Sequence, residues 1–558
     1  MTIFPGLDAS GNSNNWTENN INNTDSTATT YDIMTDVPTL TDEDTANYCV
    51  MNPLDKNTSA TISNGNLTQD ASASAWRAVR STYFVSSGKW YWETTISGSG
   101  GDIGIIGISN ASATLANIPD ANAYGYNGSN GQKYTSSTNT AYGATYASGD
   151  IIGIALDMDA GTLTFYKNNT SQGTAFTSLS GLFSPTFWQY AGYTWNTNFG
   201  QRPFAYTPPA GYLKLNTFNL PYSSIVDGSE YFSTVLYTGN GTSQSITGVN
   251  FQPDFTWIKQ RSSTEWHILS DVIRGTDKQL FSNSTNAEQT NSTFLTSYNT
   301  DGFTVGTSTG TNGSGSTYVA WNWKANGTAV SNTDGTITSS VSANTTAGFS
   351  VVTYTGNTTA GATIGHGLGS APNMIIIKDR DTVDNWAVYH SSLGGGNASL
   401  FLETTTAVNA SLNMWNSTAP SSLVITLGDR DEVNRATAHV AYCFADVEGY
   451  SKINSYTGNG STDGPFIYTG FRPAWIMLRD STNVQNWIVL DTARNTYNAP
   501  ASYLLPNSSG AEGTLDPGVD VLSNGFKMRT ANSGWNTSSA VMIYMAFAEN
   551  PFKNSLAR

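Results

Sequence analysis

The segments Tyr237-Thr-Gly-Asn240, Tyr354-Thr-Gly-Asn357 and Tyr456-Thr-Gly-Asn459 mark an internal repeat in the C-terminal part of the chain. Recurrence of one motif at a nearly constant period is the sequence sign of a repeat architecture. The period is about one hundred residues, the size of an ordinary β-sandwich domain. The motif therefore predicts three copies of one β-rich unit in this part of the chain.

Two further residue types recur at similar distances from the motif tyrosines. A proline that introduces an apolar strand follows after 16, 18 and 17 residues, and a tryptophan follows after 29, 32 and 31. The prolines are Pro253, Pro372 and Pro473, and the tryptophans are Trp266, Trp386 and Trp487. Each copy ends in an aromatic-rich strand, at residues 318–323, 439–444 and 543–547. We expect the three tryptophans to occupy equivalent buried positions.

A different set of strand patterns precedes the repeats. Bulky residues alternate in Lys89-Trp-Tyr-Trp-Glu-Thr-Thr-Ile96, and glycine-punctuated apolar runs follow. The turn Met158-Asp-Ala-Gly161 joins two such runs and predicts a β-hairpin. Short strands separated by turn residues are typical of an antiparallel sandwich.

Five motifs in this region occur in the order found in the SPRY domain. They are Trp76-Arg-Ala-Val-Arg80, Ser87-Gly-Lys-Trp-Tyr-Trp-Glu93, Gly149-Asp-Ile-Ile-Gly153, the segment 156–168 and Asn198-Phe-Gly-Gln201. The region thus resembles a SPRY domain, which implies a bent β-sandwich that binds protein and has no catalytic machinery. The family usually carries Asn-Gly at one hairpin tip, where this chain has Asn168-Asn169. Asparagine tolerates the left-handed backbone conformation that such a tip requires.

Other segments resemble tail and fibre proteins of aquatic tailed bacteriophages, in which a SPRY domain is often followed by such repeats. These segments are Ser10-Gly-Asn-Ser-Asn-Asn-Trp-Thr17, Tyr48-Cys-Val-Met-Asn-Pro-Leu-Asp55, Asn64-Gly-Asn-Leu-Thr68, Gly365-His-Gly-Leu-Gly369, Glu448-Gly-Tyr450 and Ala546-Phe-Ala-Glu-Asn-Pro-Phe-Lys553. The resemblance implies a structural protein of the virion.

The predicted fold class is all-β, with an N-terminal extended segment, a SPRY-like bent β-sandwich and three tandem β-sandwich-like repeats. The predicted boundaries are 1–44 for the extended segment, 45–206 for the SPRY-like sandwich, 207–228 for a linker, 229–326 for repeat 1, 327–346 for a linker or edge strand, 347–446 for repeat 2 and 447–558 for repeat 3.

Composition restricts the classes of partner. The chain has 25 basic and 41 acidic residues, a formal net charge of −16. So few cations release few phosphate counterions, which argues against nucleic acid as a partner. No apolar run is long enough to cross a bilayer, and no secretory signal is visible. Cys49 and Cys443 are isolated in sequence, and we expect both to be unpaired, with Cys443 packed in a closing strand.

Residues suited to catalysis or metal binding are sparse. His366 and His390 both belong to repeat 2 and could meet as metal ligands, but turn and strand-end roles are favoured. We expect His267 to face solvent and His439 to lie at a sheet surface. The carboxylate groups at 157–159, 379–384 and 429–432 lie in turns, and arginines within the last two favour ion pairing over calcium. No catalytic residue, metal site or cofactor is predicted.

One segment is rich in tyrosine, glycine, asparagine and serine. Its tyrosines are the candidate receptor- or partner-contact residues: Tyr124, Tyr126, Tyr134, Tyr142 and Tyr146. This composition is found in adaptable recognition loops, because a rigid amphipathic ring gives contact area at low entropy cost. The alternative is that the rings cover the sandwich or bind a neighbouring virion subunit. Both interpretations stay open.

The sequence as a whole favours a virion protein of a tailed phage that is not an enzyme. The expected role is a tail fibre or tail-associated adhesin that binds a host surface glycan or outer-membrane receptor, together with other virion proteins. By analogy we expect a homotrimer that is assembled in the host cytoplasm and acts outside the cell. The alternatives are a head or neck decoration fibre and, in another class, a glycan depolymerase.

Overall fold

The computed structural model describes residues 42–70, 75–99, 103–190, 192–515 and 518–554. The chain divides into two compact units between Tyr222 and Ser223, inside the linker predicted at 207–228. The predicted extended segment 1–44 lies outside the described residues up to residue 41. Both units are built almost entirely from β-strands, which confirms the predicted fold class. No helix among the described residues combines the length and apolar character needed to cross a bilayer.

The first unit contains the SPRY-like region. Its strands are β1 (Met51–Lys56), β2 (Thr61–Ser63), β3 (Thr68–Asp70), β4 (Arg77–Ser81), β5 (Lys89–Gly98), β6 (Ile105–Ser109), β7 (Ala123–Asn127), β8 (Gln132–Thr135), β9 (Thr138–Ala141), β10 (Ile151–Asp157), β11 (Thr162–Lys167), β12 (Thr170–Phe176), β13 (Ser184–Gln189), β14 (Tyr193–Asn198) and β15 (Leu213–Lys214). One sheet has the order β1-β4-β13-β6-β7-β8-β9, and the other has β12-β11-β10-β5-β14-β3-β2, with β15 parallel to β5. A short 3₁₀ helix, Glu43–Thr45, precedes β1.

The two sheets of this unit face each other as a sandwich. The ring of Phe187 on β13 lies 6.2 Å from that of Trp195 on β14, centroid to centroid. The predicted hairpin is confirmed, because β10 pairs with β11 from Asp157 opposite Thr162 outward. At the next tip, Asn168 and Asn169 have φ values of 47° and 66°, the left-handed conformation expected from the sequence.

The second unit contains the three repeats. Repeat 1 has β16 (Phe232–Thr238), β17 (Gln244–Thr247), β18 (Phe255–Gln260), β19 (Ile268–Asp271), β20 (Lys278–Phe281), β21 (Gln289–Thr290), β22 (Leu295–Asn299), β23 (Gly302–Val305), α1 (Thr309–Asn312) and β24 (Thr317–Trp323). Repeat 2 has β25 (Val330–Asn332), β26 (Ser339–Asn344), β27 (Phe349–Thr355), β28 (Thr363–Gly365), β29 (Met374–Asp379), β30 (Ala387–His390), β31 (Leu400–Phe401), β32 (Val424–Thr426), α2 (Asp431–Asn434) and β33 (Ala438–Phe444). Repeat 3 has β34 (Ser451–Thr457), β35 (Phe466–Tyr468), β36 (Phe471–Asp480), β37 (Trp487–Asp491), β38 (Ser502–Tyr503), β39 (Gly513–Thr514), β40 (Val519–Leu522), β41 (Gly525–Met528) and β42 (Val541–Pro551). Short 3₁₀ helices lie at Gly228–Glu230, Ser391–Leu393 and Phe552–Asn554.

All three repeats share one strand order, which confirms the predicted repeat. The main sheets contain β16-β24-β18-β19, β27-β33-β29-β30 and β34-β42-β36-β37. In each sheet the aromatic-rich last strand lies between the strand that ends in the tyrosine motif and the strand that follows the proline. The segment predicted as a linker or edge strand at 327–346 holds β25 and β26, which extend the sheet of repeat 2.

The strand register corrects one predicted equivalence. Ile258 pairs with Ile268, Ile377 with Ala387 and Leu478 with Ile488. The residues that precede these second partners are His267, Trp386 and Trp487, so the equivalent of the two tryptophans is His267. Trp266 is 38% exposed, and the prediction that it is buried is wrong. The distance from the motif tyrosine includes a turn of variable length, whereas the distance from the proline to His267, Trp386 and Trp487 is 14 residues each time.

The Tyr-Thr-Gly-Asn motif binds the segment that precedes the last strand of its own repeat. In repeat 2, the Tyr354 hydroxyl donates to the carbonyl oxygen of Val433 at 2.6 Å, and the Asn357 N–H donates to Asn434 Oδ1 at 2.9 Å. A Cβ atom at Gly356 would lie 2.1 Å from a main-chain oxygen, which explains the glycine. The equivalent bonds join Tyr237 to Thr311, Asn240 to Asn312, Tyr456 to Trp535 and Asn459 to Asn536.

The three main sheets share one hydrophobic core. Trp323, Phe444 and Phe547 occupy equivalent positions on the last strands, and all three are buried. Their ring centroids form a triangle with sides of 5.8, 6.1 and 6.1 Å. The apolar residues around this triangle come from all three repeats and form one continuous cluster. The repeats therefore pack around a common centre.

We predict that Asn434→Asp lowers the free energy of unfolding by roughly 3 kcal/mol, because the buried Nδ2 group donates to the carbonyl oxygens of Thr359 and Gly428. A carboxylate would face those oxygens without a donor. Urea unfolding measures the loss. The matched control is Asn357→Asp: this side chain is exposed and its Oδ1 only accepts from Thr359 N–H, so the change should stay within about 0.5 kcal/mol. Equal losses would contradict the assignment.

Candidate functional site

The three repeats form a closed ring, because each repeat contacts the other two through equivalent residues. We name the contacts junction 1–2, junction 2–3 and junction 3–1, after the repeats that meet there. At every junction the loop before β19, β30 or β37 lies against the segment after β20, β31 or β38 of the neighbouring repeat. Two main-chain hydrogen bonds cross each junction. At junction 1–2 they run from Glu288 N to Arg380 O and from Asp384 N to Thr285 O. At junction 2–3 they run from Val408 N to Ser481 O and from Gln485 N to Thr405 O, and at junction 3–1 from Glu512 N to Arg261 O and from Glu265 N to Ser509 O.

One aromatic side chain completes each junction. The indole N–H groups of Trp386 and Trp487 donate to the carbonyl oxygens of Phe281 and Phe401, at 3.0 and 2.9 Å. At junction 3–1 the equivalent His267 faces the main chain of Leu505. The Trp257 indole N–H donates to its Nδ1 at 2.9 Å. His267 is thus buried, and the expectation that it faces solvent is wrong.

Junction 1–2 contains a buried network of charged groups. Arg274 lies between Asp271 and Glu288, and Glu288 also binds Arg380, with the two Arg–Glu contacts at 3.0 and 2.8 Å. The Tyr442 hydroxyl of repeat 2 donates to Asp271 at 2.9 Å. Burial alone raises the pKa of Glu288, but the hydrogen bonds and charges of the two arginines lower it below the ordinary value. Glu288 therefore stays ionised as a bridge between repeats.

Junction 3–1 repeats this arrangement with other residues. Arg494 lies between Asp491 and Glu512, and Glu512 binds Arg261 of repeat 1 at 2.9 Å. The Trp321 indole N–H donates to Asp491 at 3.0 Å in place of the tyrosine hydroxyl. The pKa of Glu512, raised by burial, is lowered overall by the two arginines. Two of the three junctions thus use the same Asp–Arg–Glu–Arg chain.

Junction 2–3 has no such chain among the described residues. Its equivalent positions hold His390, Leu393, Val408 and Ser481. His390 Nε2 lies 3.3 Å from the carbonyl oxygen of Tyr544. Burial lowers the pKa of His390 to about 4, so its imidazole group is neutral at pH 7. Apolar packing, main-chain bonds and the buried Arg479, whose guanidinium donates to the carbonyl oxygens of Thr404 and Thr406, hold this junction together.

The structure places three of the five candidate tyrosines inside the first unit. Tyr126 on β7 is fully buried, and its hydroxyl donates to the carbonyl oxygen of Ala144. Tyr146 is also buried and donates to the carbonyl oxygen of Tyr126 at 2.9 Å. Tyr134 on β8 is buried and accepts a bond from Asn130. These contacts favour the interpretation in which the rings cover the sandwich.

Tyr124 and Tyr142 are partly exposed, so their rings have surface available for a partner. Tyr124 packs edge-on against Phe176. The Tyr142 hydroxyl donates to the carbonyl oxygen of Gly173 at 2.5 Å, and burial raises its pKa to about 12. A receptor role for the five tyrosines stays a prediction, and these two are the ones that a partner can reach without local unfolding.

The remaining reactive side chains are buried as well. His366, His390 and His439 are at most 1% exposed, so His439 is not at a surface. In the part of the chain that the structure describes, no three His, Cys, Asp or Glu side chains converge on a possible metal position. Cys49 and Cys443 are free and buried, and burial raises the pKa of each thiol to about 12. Cys443 packs in β33 as expected.

The turns that follow the motif glycines form the candidate binding surface of the ring. They are Asn240-Gly-Thr-Ser243, Asn357-Thr-Thr-Ala360 and Asn459-Gly-Ser-Thr462, and they carry amide and hydroxyl groups without any charge. In each turn the asparagine Oδ1 accepts from the main-chain N–H two residues on, at 2.8–3.0 Å. These turns are therefore exposed but locally fixed, a combination that suits recognition.

We predict that the pair missing from junction 2–3 can be rebuilt. Val408→Glu alone should lower stability, because the partly buried carboxylate would lack the arginine that binds the equivalent Glu288 and Glu512 across the other junctions. Adding Ser481→Arg should recover about 1–2 kcal/mol, since the equivalent Glu288 and Arg380 are 2.8 Å apart. Urea unfolding of both single variants and the double variant gives the coupling energy. Additive effects would show that the two positions do not meet across the junction.

We predict that acid destabilises the ring partly through His390. The folded pKa is about 4 and the ordinary value is 6.5, so its contribution is complete above pH 6.5 and is lost as the pH falls toward 4. The loss is about 3 kcal/mol. His390→Asn should remove this part of the pH dependence of unfolding. Burial also lowers the pKa of His366, so His366→Asn, outside the junction, should remove its own part of the pH dependence and leave the part from His390 in place. An unchanged profile for His390→Asn would contradict the prediction.

The first unit is similar in sequence to proteins of a known domain family. Residues 89–202 match the family model of the SPRY domain, which confirms the SPRY resemblance. Ran-binding protein 9 of Xenopus tropicalis is 37% identical over 137 residues, which are 23% of this chain and 25% of that protein. Ran-binding protein 10 of Danio rerio is 36% identical over 137 residues, 23% of this chain and 22% of that protein. The chain spans about a quarter of the length of these curated relatives.

The chain is also similar to solved SPRY structures and to a second family model, which covers the repeats. The SPRY domain of human HERC1 is 20% identical with a TM-score of 0.25, and the match covers 26% of this chain and 96% of that one. The PSpry domain of TRIM65 is 20% identical with a TM-score of 0.23, covering 27% of this chain and 92% of that one. Residues 227–551, which include all three repeats, match the model described as Domain of unknown function (DUF7483). Because this match covers more than half of its length, the chain belongs to the DUF7483 family.

Proposed function

We propose that this chain is a structural protein of a tailed-phage virion, a tail fibre or tail-associated adhesin that binds the host surface without bond chemistry. The observation that carries the proposal is how the ring uses its charged side chains. The buried chains Asp271–Arg274–Glu288 and Asp491–Arg494–Glu512 hold repeats together. The exposed motif turns are left with amide and hydroxyl groups, which both donate and accept hydrogen bonds.

Such a surface suits a polyhydroxyl partner, and we assign the host surface glycan to the ring. A formal net charge of −16 disfavours polyanions, including nucleic acid. The SPRY unit would bind protein, because SPRY domains are generally protein-interaction modules. The proteins that it resembles are named for binding Ran. In the virion, its partner would be another structural protein, and the segments that resemble phage tail proteins support this setting.

Immunogold labelling of purified phage particles that carry this gene tests the proposal. Label at the tail or its fibres is expected. Label at the head or neck would favour the decoration fibre, and particles without the chain would overturn the proposal. Release of reducing sugar from host polysaccharide by the purified chain would favour a depolymerase instead. The mass of the chain in solution tests the predicted homotrimer.

Adsorption of the labelled full chain to host cells tests the tyrosine candidates. Tyr124→Phe removes, from a partly exposed tyrosine, a hydroxyl that forms no hydrogen bond with the described residues, while Tyr126→Ala removes a buried ring. If the tyrosines contact the receptor, Tyr124→Phe lowers adsorption at an unchanged melting temperature. Tyr126→Ala should lower the melting temperature in either case, since loss of a buried aromatic ring costs about 3–5 kcal/mol. Unchanged adsorption of Tyr124→Phe would move receptor binding away from the hydroxyl of Tyr124.

A further inference from the structure

Trp266 distinguishes repeat 1 from the other two repeats. It is 38% exposed, and every other described tryptophan is more buried. The loops that hold it have equal lengths in the three repeats, and the equivalent residues are Asn385 and Asn486. The two other repeats fill this surface position with a small polar side chain, so the fold does not require an indole there.

Asn283, the residue beside Trp266, lacks the side-chain hydrogen-bond partner that the equivalent residue of repeat 3 has. In repeat 3, the Asn507 Nδ2 group donates to Asn486 Oδ1 at 2.8 Å, so the two amides satisfy each other. The equivalent of Asn507 in repeat 1 is Asn283, whose Oδ1 accepts from His267 N–H at 2.9 Å, as Asn507 Oδ1 accepts from Trp487 N–H. Because the acceptor is replaced by Trp266, no described residue accepts from Asn283 Nδ2. An indole ring and an open amide donor thus stand side by side.

Neighbouring side chains fix the indole and add polar groups around it. The buried ring of Phe281 packs edge-on against Trp266, with centroids 4.4 Å apart and an angle of 69°. This contact supports the indole, which stays 38% exposed. Glu265 is adjacent in the chain, and its carboxylate accepts from the Thr309 hydroxyl at 3.4 Å. A carboxylate acceptor is therefore carried by the residue next to Trp266 in the chain.

We propose that Trp266 and Asn283 form a saccharide-binding site at junction 3–1. The face of an indole ring carries negative charge density and attracts the C–H groups on the apolar face of a hexose. Asn283 Nδ2 would donate to a ring hydroxyl, and Glu265 would accept from another. This assignment rests on the proposed glycan-binding function and locates it on one repeat.

The chemistry of the site favours a neutral sugar over a peptide or an anion. The exposed apolar part of the site is the one indole ring of Trp266. Its charged group, Glu265, is negative, which opposes carboxylate and phosphate ligands. An amide donor and a carboxylate acceptor match the paired donor and acceptor character of sugar hydroxyl groups. A flat aromatic ring with planar polar neighbours then orients one pyranose.

Saturation-transfer NMR on the full chain tests the site with three probes: methyl β-D-galactopyranoside, methyl α-D-mannopyranoside and N-acetyl-D-glucosamine. We expect transfer to at least one probe, reduced fivefold or more by Trp266→Asn. That variant should fold, because asparagine occupies this position in the other two repeats. Trp266→Phe should keep part of the signal, and Asn283→Asp, which retains the acceptor and loses the donor, should lower it. The control is Tyr497→Ala, an aromatic ring 88% exposed elsewhere in the same unit.

The outcomes separate this site from the proposed function. Absence of transfer with all three probes, or equal transfer in Trp266→Asn, overturns the site. If the wild-type chain adsorbs to host cells and Trp266→Asn adsorbs equally, the adhesin stands and the site falls. If transfer depends on Trp266 but the chain is absent from phage particles, the site stands and the virion function falls. Equal melting temperatures of wild type and Trp266→Asn confirm that the loss is local.

Discussion

The packing of three sheet faces against one another is the constraint on which the second unit depends. A single sheet must bury its apolar face, and here each face is covered by the two other repeats. Trp323, Phe444 and Phe547 meet at the centre of this packing. The repeats are therefore parts of one cooperative body, although each has the strand order of a separate sandwich. Loss of one repeat would expose the inner faces of the remaining two.

Much of this architecture could be predicted because local sequence motifs specify it. The tyrosine motif predicted three copies of one β-rich unit, since a motif that binds its own repeat must recur with it. The equivalence of Trp266 was wrong because a turn of variable length separates it from Tyr237. Counting from Pro253 leads to His267 instead. The ring itself could not be predicted, because contacts such as Arg261 with Glu512 leave no local period.

The candidate tyrosines show a second limit of sequence reasoning. Tyrosine, glycine and asparagine compose both exposed recognition loops and sandwich edges, and composition does not say which side of a sheet a ring occupies. Tyr126 and Tyr124 are two positions apart on β7, yet one is fully buried and the other is partly exposed. Neighbours from distant strands decide the difference. Only the internal comparison of three repeats, position by position, reveals that Trp266 departs from its equivalents.

Closure of the ring of repeats also determines the order in which parts of this protein can fold during synthesis. Glu512 is 251 positions from Arg261, so junction 3–1 cannot form until the segment that contains Glu512 has been synthesised. Until then, repeats 1 and 2 expose an aromatic face that includes Trp321 and Phe232, whose rings contact Trp475 and Phe547 of repeat 3 in the folded chain. Such unfinished surfaces invite aggregation during slow, non-local folding. Translation speed and chaperone supply during the synthesis of repeat 3 thus become determinants of yield, and a product truncated before repeat 3 would be more prone to aggregation than its length suggests.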